Sequence, residues 1–320
     1  MPLADLQFSD LLLFPDGSAR LKGCPGVGPQ LVPVPEACAP EVAGLPDLLG
    51  KYEQMAMRYR HGDITYRVAR IDDVDGKRIW FLRRLAETVP PFESLGLLPV
   101  LCSWLMGAEQ RQGLVLFSGA QASGKTTTAS SFVARRLEVY GGHSVTFENP
   151  AELPLAGSWG EYGYCFQTEI ASEAELAQEI ERAHRYASPD IIFIGEIRTR
   201  HAALEALRVS LGSSRQLVVA TIHGQDVITA LERLVTWARE LDGDNAGQNL
   251  ADALLAVIHL SLESSADGQR CLSSPQFLLL PFKESSRSIR VKLRNGQFNT
   301  LTDDMRELKA RIAHKGEQSI

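Results

Sequence analysis

Cysteine is scarce. Cys24, Cys38, Cys102, Cys165 and Cys271 are the only five in 320 residues, and no two form a C-x-x-C pair. This odd, scattered set excludes a disulfide framework and a zinc ribbon, and reads as isolated buried or half-buried thiols. Long apolar runs are missing too: no stretch reaches the roughly eighteen residues a membrane-crossing helix needs. The opening MPLADLQFSDLLLF has neither the basic start nor the apolar length of a secretory signal. The expected compartment is therefore the cytoplasm, with any membrane attachment made through a protein partner. An excess of basic residues is also lacking. The formal net charge is −6, which argues against a protein that coats nucleic acid and leaves room only for a local basic groove. No internal repeat or low-complexity segment is visible.

What is present fits a soluble two-domain chain. Apolar residues make up 44% and charged residues 22%, enough for a sizeable core. In the first part, Leu11–Phe14 reads as a strand and Pro15-Asp16-Gly17 as its turn. Residues 26–46, rich in Pro and Gly, read as irregular, and Asp47–Arg60 as a helix with Leu48, Leu49, Tyr52 and Met55 on one face. Ile64–Ile71 and Arg78–Leu85 read as a hairpin turning at Asp75-Gly76. Pro90-Pro91 cannot donate into a ladder and would end that sheet. Residues 1–90 are thus expected to form a small α+β domain, residues 91–320 a second domain, with a linker near 88–98.

The second part alternates strand and helix. Strands are expected at Gly113–Ser118, Ser144–Phe147, Asp190–Ile194 and Gln216–Thr221. Helices are expected at Lys125–Tyr140, Glu173–Tyr186, Ala202–Leu211 and Val227–Leu241. Unbroken apolar strands separated by helices indicate an α/β domain with a parallel sheet covered on both faces. After Leu260 the pattern weakens. Gln276–Leu280 and Ser288–Leu293 read as strands and Thr302–Ala313 as a terminal helix, with Asp303 and Asp304 near its positive end.

One motif carries chemistry by itself. Gly119-Ala120-Gln121-Ala122-Ser123-Gly124-Lys125-Thr126 fits G-x-x-x-x-G-K-[ST], with an apolar strand before it and a helix after it. The glycines let the backbone turn its N–H groups onto phosphate oxygens, and the helix dipole adds to their pull. Lys125 can reach the β- and γ-phosphates and the Thr126 hydroxyl can ligate Mg²⁺. Gly119, Ala122, Ser123, Gly124, Lys125, Thr126 and Thr127 are the candidate ATP-binding residues. No N-K-x-D run is present to read guanine, which disfavours a GTPase.

A second run, Pro189-Asp190-Ile191-Ile192-Phe193-Ile194-Gly195-Glu196-Ile197-Arg198, is an apolar strand ending in a carboxylate. The usual Asp of such a strand is replaced by Gly195. This run resembles the corresponding strand of the bacterial type II/IV secretion ATPase superfamily, which includes PilT-like pilus-retraction motors and the ATPases of conjugation and type IV secretion. Val145-Thr146-Phe147-Glu148-Asn149-Pro150 resembles that family's aspartate box and Thr221-Ile222-His223-Gly224 its histidine box. Phe8-Ser9-Asp10-Leu11 resembles its opening strand. Arg83 with Phe92-Glu93-Ser94-Leu95-Gly96 resembles the family's passage into the linker.

The resemblance implies a RecA-like ATPase domain preceded by a small PAS-like α+β domain, assembled as a hexameric ring. Such a ring would power a type IV pilus, secretion or conjugation machine through inner-membrane platform proteins, with no direct nucleic-acid contact. It also implies roles. Glu148 would orient or activate the attacking water, Glu196 would act on Mg²⁺ and its water shell, and His223 would couple the γ-phosphate to domain movement. Arg182 and Arg83 would stabilise the transferring phosphate.

Plainer readings stand beside these. Glu148 can be a solvated strand-end carboxylate, Glu196 the partner of Arg198 or Arg200, His223 a core-edge histidine, and the two arginines surface ion pairs. The chain also departs from the family pattern. Asn149 replaces an Asp, Gln167-Thr168-Glu169-Ile170 lacks the Arg that usually follows Gln, and no tetracysteine module is present. A non-hydrolysing, ATP-binding regulatory subunit and a nucleic-acid translocase are the alternative functions.

Overall fold

The hairpin signal at Asp75-Gly76 joins two long strands in the computed structural model, which describes residues 2–170, 172–211, 215–264 and 270–315. The chain divides into two compact units, Met1–Thr88 with Glu152–Pro154, and Val89–Ala151 with Leu155–Ile320.

The first unit holds strands β1 (Asp10–Leu13), β2 (Ala19–Lys22), β3 (Val32–Pro33), β4 (Ala56–His61), β5 (Ile64–Asp72) and β6 (Arg78–Arg84), and helices α1 (Ala39–Ala43) and α2 (Leu45–Leu49). The strands form one antiparallel sheet in the order β3-β2-β1-β6-β5-β4. Alternation sets its faces. Ile64, Tyr66 and Val68 of β5 and Trp80 and Leu82 of β6 point into a core shared with Val42, Leu45 and Leu49 of the short helices.

Two expectations are corrected here. Asp47–Arg60 is not a helix: α2 stops before Gly50, and Ala56–His61 pairs with β5 instead. Of the expected stripe only Leu49 is buried, at the end of α2, while Leu48, Tyr52 and Met55 are exposed, so pairing with the open edge of β5 wins over the helical period. Residues 26–46, expected to be irregular, carry β3 and α1.

The second unit contains α3 (Pro99–Leu105), β7 (Gly113–Gly119), α4 (Lys125–Tyr140), β8 (Gly142–Glu148), β9 (Gly157–Trp159), β10 (Gly163–Glu169), α5 (Glu173–Tyr186), β11 (Ile191–Ile197), α6 (Arg200–Ser210), β12 (Leu217–His223), α7 (Val227–Asp242), α8 (Asn245–Ala253), β13 (Leu254–Leu260), β14 (Leu262–Ser264), β15 (Arg270–Leu272), β16 (Gln276–Leu279), α9 (Arg287–Arg294) and α10 (Leu301–Lys315). Its main sheet runs β16-β13-β7-β12-β11-β8-β10-β9. The six inner strands are parallel, and β16 and β9 close the edges antiparallel.

Successive residues of the inner strands feed two cores. Leu114, Leu116, Ile192, Ile194, Val218 and Ala220 face α5, α6, α7 and α8, whereas Val115, Phe117, Ile191, Phe193, Leu217 and Val219 face α3 and α4. That is why these strands read as unbroken apolar runs. Ser288–Leu293, expected as a strand, is helix α9. Its polar–apolar alternation imitates a strand, but Ile289 and Leu293 lie four residues apart and pack on the same core, while Val291 is exposed. Among the described residues no helix is long and apolar enough to cross a membrane.

Candidate functional site

The C-terminal ends of β7, β12, β11 and β8 lie side by side, and the candidate residues sit on them. β7 is buried throughout and ends at Gly119. A Cβ there would lie 2.3 Å from Ser123 Oγ and 2.4 Å from the Leu260 carbonyl oxygen, so only glycine lets the turn close against β13. The chain then passes through left-handed backbone at Ala122 (φ 60°) and Gly124 (φ 88°). Gly124 caps α4, whose first residue is Lys125. Successive turns of this kind aim N–H groups into one concavity, and the positive end of a sixteen-residue helix points into it.

Lys125 is nearly buried, and its Nζ donates to the Ala120 carbonyl at 2.7 Å, spanning the loop. Thr126 and Thr127 are half-buried on the first turn. The Ser123 hydroxyl is buried without a hydrogen-bond partner. An orphaned buried donor, a cradle that a methyl would fill and a lysine across its mouth together fit a phosphate chain. Among the described residues no three His, Cys, Asp or Glu side chains gather as a metal cage. Beside the loop lies a cleft of about 460 Å³ lined by Ala120, Gln121, His223, Gly224 and His259 among others.

Glu148 ends β8. Ser144, Thr146 and Glu148 share one face of that strand, while Val145 and Phe147 go into the other core. The carboxylate is almost fully buried. Its Oε1 accepts from Thr146 Oγ1 at 3.0 Å and from Gln167 Nε2 at 2.8 Å. Gln167 stands beside Thr146 in the β8–β10 register. On its other side the Gln167 Oε1 accepts the Leu155 and Ala156 amides at 3.1 and 3.2 Å.

Glu196 is the last residue but one of β11, where the register with β12 shifts between Ile194 and Ile197. Gly195 has a local cause: a Cβ there would meet Glu148 Cγ at 3.0 Å and the Phe147 carbonyl oxygen at 3.2 Å. An Asp at this position would push Glu148 aside. Glu196 Oε2 is gripped by Arg198, with Nε at 2.7 Å and Nη2 at 2.5 Å. Arg200, the other cation considered for it, pairs with Glu240 at 3.3 Å.

His223 ends β12 opposite Gly119. Its Nε2 lies 3.1 Å from Glu196 Oε1, off the geometry of a hydrogen bond. Burial first, and the Lys125 charge next, lower its pKa against the pull of Glu196, so the ring is neutral near pH 7.

Arg182 is exposed on α5 and pairs with Glu179 at 3.5 Å. Arg83 lies on β6 of the first unit and bonds Asp10 at 2.8 Å. Thus one neighbourhood of the second unit holds the phosphate loop, Glu148, Glu196 and His223, and both arginines are engaged in local ion pairs.

Two further groups belong to this neighbourhood and were not singled out from the sequence. Gln167 holds Glu148. Its sequence signal was the run Gln167-Thr168-Glu169-Ile170, where the resemblance expects a Gln but gives it no role. His259 of β13 is buried, with Nδ1 3.1 Å from Ser118 Oγ; its strand, Leu254–Leu260, is outside the elements expected from the sequence.

Residues 51–288 match the family described as type II/IV secretion system protein. The chain belongs to that family. The match to the family covers the phosphate loop and the strands that carry Glu148, Glu196 and His223.

An uncharacterized protein YggR of Escherichia coli is 32% identical over 186 residues, 57% of this chain and 53% of that one. The type IV pilus ATPase PilU of Pseudomonas aeruginosa is 28% identical over 193 residues, 59% of this chain and 47% of its own length. The chain thus spans about half the length of the curated relatives it matches. The fold agrees with the pilus retraction motor PilT with bound ADP at a TM-score of 0.74, 22% identity, and coverage of 95% and 87% of the two chains. Among these relatives PilU is a type IV pilus ATPase and PilT a pilus retraction motor.

Proposed function

We propose that this chain is an ATP-hydrolysing motor subunit that powers a type IV pilus or a type IV secretion or conjugation machine. The observation that carries the reading is the phosphate cradle at the end of β7 with two carboxylates on the neighbouring strand ends, one fixed by hydrogen bonds and one held by an arginine. ATP is the substrate. Gly119–Thr127 hold its phosphates through backbone N–H groups, and Lys125 exchanges the Ala120 carbonyl for phosphate oxygens. Thr126 would hold Mg²⁺, and Glu196 would act on that ion's water shell. When bound, Mg²⁺ supplies charge neutralisation at the phosphates.

Glu148 orients the water that attacks the γ-phosphate and takes its proton. His223, neutral at pH 7, senses the phosphate between Lys125 and Glu196. In-line displacement asks the protein mainly for positioning and charge stabilisation. Arg182 and Arg83 complete that charge after leaving their exposed ion pairs with Glu179 and Asp10, Arg83 from a PAS-like first domain (residues 1–90) and across a subunit boundary. The ATPase domain (residues 91–320) is RecA-like, the ring is a hexamer, and residues 88–98 are its hinge. The partners are inner-membrane platform proteins reached from the cytoplasm.

The grip of Arg198 on Glu196 supports a second reading: a subunit that binds ATP and hydrolyses it only when a partner frees Glu196. Steady-state hydrolysis by the purified chain, beside Lys125→Ala and Glu196→Gln and with light scattering on the same samples, tests both. Turnover in a ring, lost in both variants, is the expected result. ATP binding without turnover in any oligomeric state overturns the motor reading and leaves the partner-activated subunit.

A further inference from the structure

Gln167 is the side chain whose every polar end is used. Its amide nitrogen donates to Glu148 Oε1 at 2.8 Å, and its amide oxygen accepts the backbone N–H groups of Leu155 and Ala156 at 3.1 and 3.2 Å. The donors on the one side and the carboxylate on the other fix which end is nitrogen, since the reverse orientation would set acceptor against acceptor and donor against donor. Glu148 Oε1 is therefore held from its own strand by Thr146 and from β10 by Gln167. With Gly195 leaving no room for a neighbouring side chain, the carboxylate has one orientation.

We propose that Gln167 is a positioning residue for turnover: it fixes Glu148 and ties that orientation to the position of the Leu155–Ala156 segment. This rests on the reading of Glu148 as the residue that orients the attacking water. If the segment shifts by an ångström, the amides of Leu155 and Ala156 pull on Gln167 and Glu148 turns with it. Misplacements of that size are worth up to about a hundredfold in rate.

Gln167→Glu tests this because it keeps the acceptor for Leu155 and Ala156 and removes the donor to Glu148. In the full chain with Mg²⁺ and ATP, turnover at pH 8 should fall at least tenfold with ATP affinity within twofold of wild type. The deficit should shrink as the pH is lowered to 6, because a proton shared by the two carboxylates restores the donor. A merely structural loss would show no such recovery.

The swap Glu148→Gln/Gln167→Glu separates the hydrogen bond from the chemistry. It re-forms the bond with donor and acceptor exchanged, so its melting temperature should recover to near wild type while turnover stays absent. Turnover of Gln167→Glu within twofold of wild type, or a loss that follows ATP affinity, overturns the proposal. So does a melting-temperature loss that is equal with Glu or Gln at position 148. If the wild-type chain shows no turnover, the functional reading falls. The melting-temperature cycle then still decides whether Gln167 holds Glu148.

Discussion

Two carboxylates stand at the ends of neighbouring strands of one sheet and are held in different ways. Glu148 is nearly buried, and Thr146 and Gln167 donate to its Oε1. Glu196 has a side chain 16% exposed, and Arg198 grips its Oε2. Hydrogen bonds from two strands fix direction as well as distance, because donors weaken steeply off line. An ion pair whose arginine is half-exposed holds its carboxylate by an attraction that water screens and salt weakens. The first arrangement suits a group that must point at one atom. The second suits a group that acts through a water shell and can be released.

The widest separation should come from shortening each acid by one methylene. Glu148→Asp withdraws the carboxylate from both donors, and turnover should fall about a hundredfold, nearly as far as in Glu148→Gln. Glu196→Asp should cost about tenfold, because a water can bridge the gap. Steady-state kinetics at saturating ATP would check this, and equal losses in the two Asp variants would erase the proposed difference between the ends.

Next in size is the contact between the two ends. Gly195→Ala places a methyl 3.0 Å from Glu148 Cγ, and neither that strand nor the Phe147 carbonyl can yield far. Overpacking of this kind costs about 1–3 kcal/mol, and turnover should fall about tenfold as Glu148 is displaced. Unfolding and kinetics measured on the same protein would show both. An unaffected enzyme would mean that Glu148 is not held against Gly195.

A smaller effect is expected at the ionic end. Arg198→Ala removes the grip on Glu196, yet the arginine side chain is 46% exposed, so screening limits the stability change to under about 1 kcal/mol. Its informative readout is salt. If Arg198 restrains Glu196, turnover of the wild type rises with moderate salt and that of Arg198→Ala does not. A parallel salt response in the two proteins would remove the restraining role.

How much of this could be read in advance differs along the chain for physical reasons. The helices Lys125–Tyr140 and Glu173–Tyr186 were legible to the residue. The first starts at a motif that must open a helix, and the second has a clean stripe of Leu176, Ile180 and Ala183. The strands leading to Glu148, Glu196 and His223 extend one to three residues beyond the expected ends at Phe147, Ile194 and Thr221, but were legible from their apolar runs. The edges were not. β4 lies under a sequence with helical spacing, and only the open side of β5 decides its state. α9 carries a strand-like alternation that its contact with the core overrules. Gln167 and His259 were missed for a different reason: what matters is what each touches across strands, and the partners are 19 and 141 residues away in sequence.

The smallest effect expected is on pH, and it bears on the β12 and β13 side of the site. Burial, reinforced by Lys125 and only partly offset by Asp226, lowers the His259 pKa below the ordinary 6.5. His223 is lowered as well, by burial and then Lys125. A histidine lowered in the folded state binds fewer protons there than in the unfolded chain. Stability therefore rises with pH across the window between the two values and falls on acidification below about 6.5. His259→Gln can still meet Ser118 but cannot titrate. The drop in melting temperature between pH 7.5 and pH 5.5 should therefore be smaller in His259→Gln than in wild type. His223→Gln should flatten it less, because the His223 side chain is 42% exposed and water already solvates its charged form. If His259→Gln keeps the full wild-type drop, the acid sensitivity originates elsewhere, and the buried pair with Ser118 does not resist protonation.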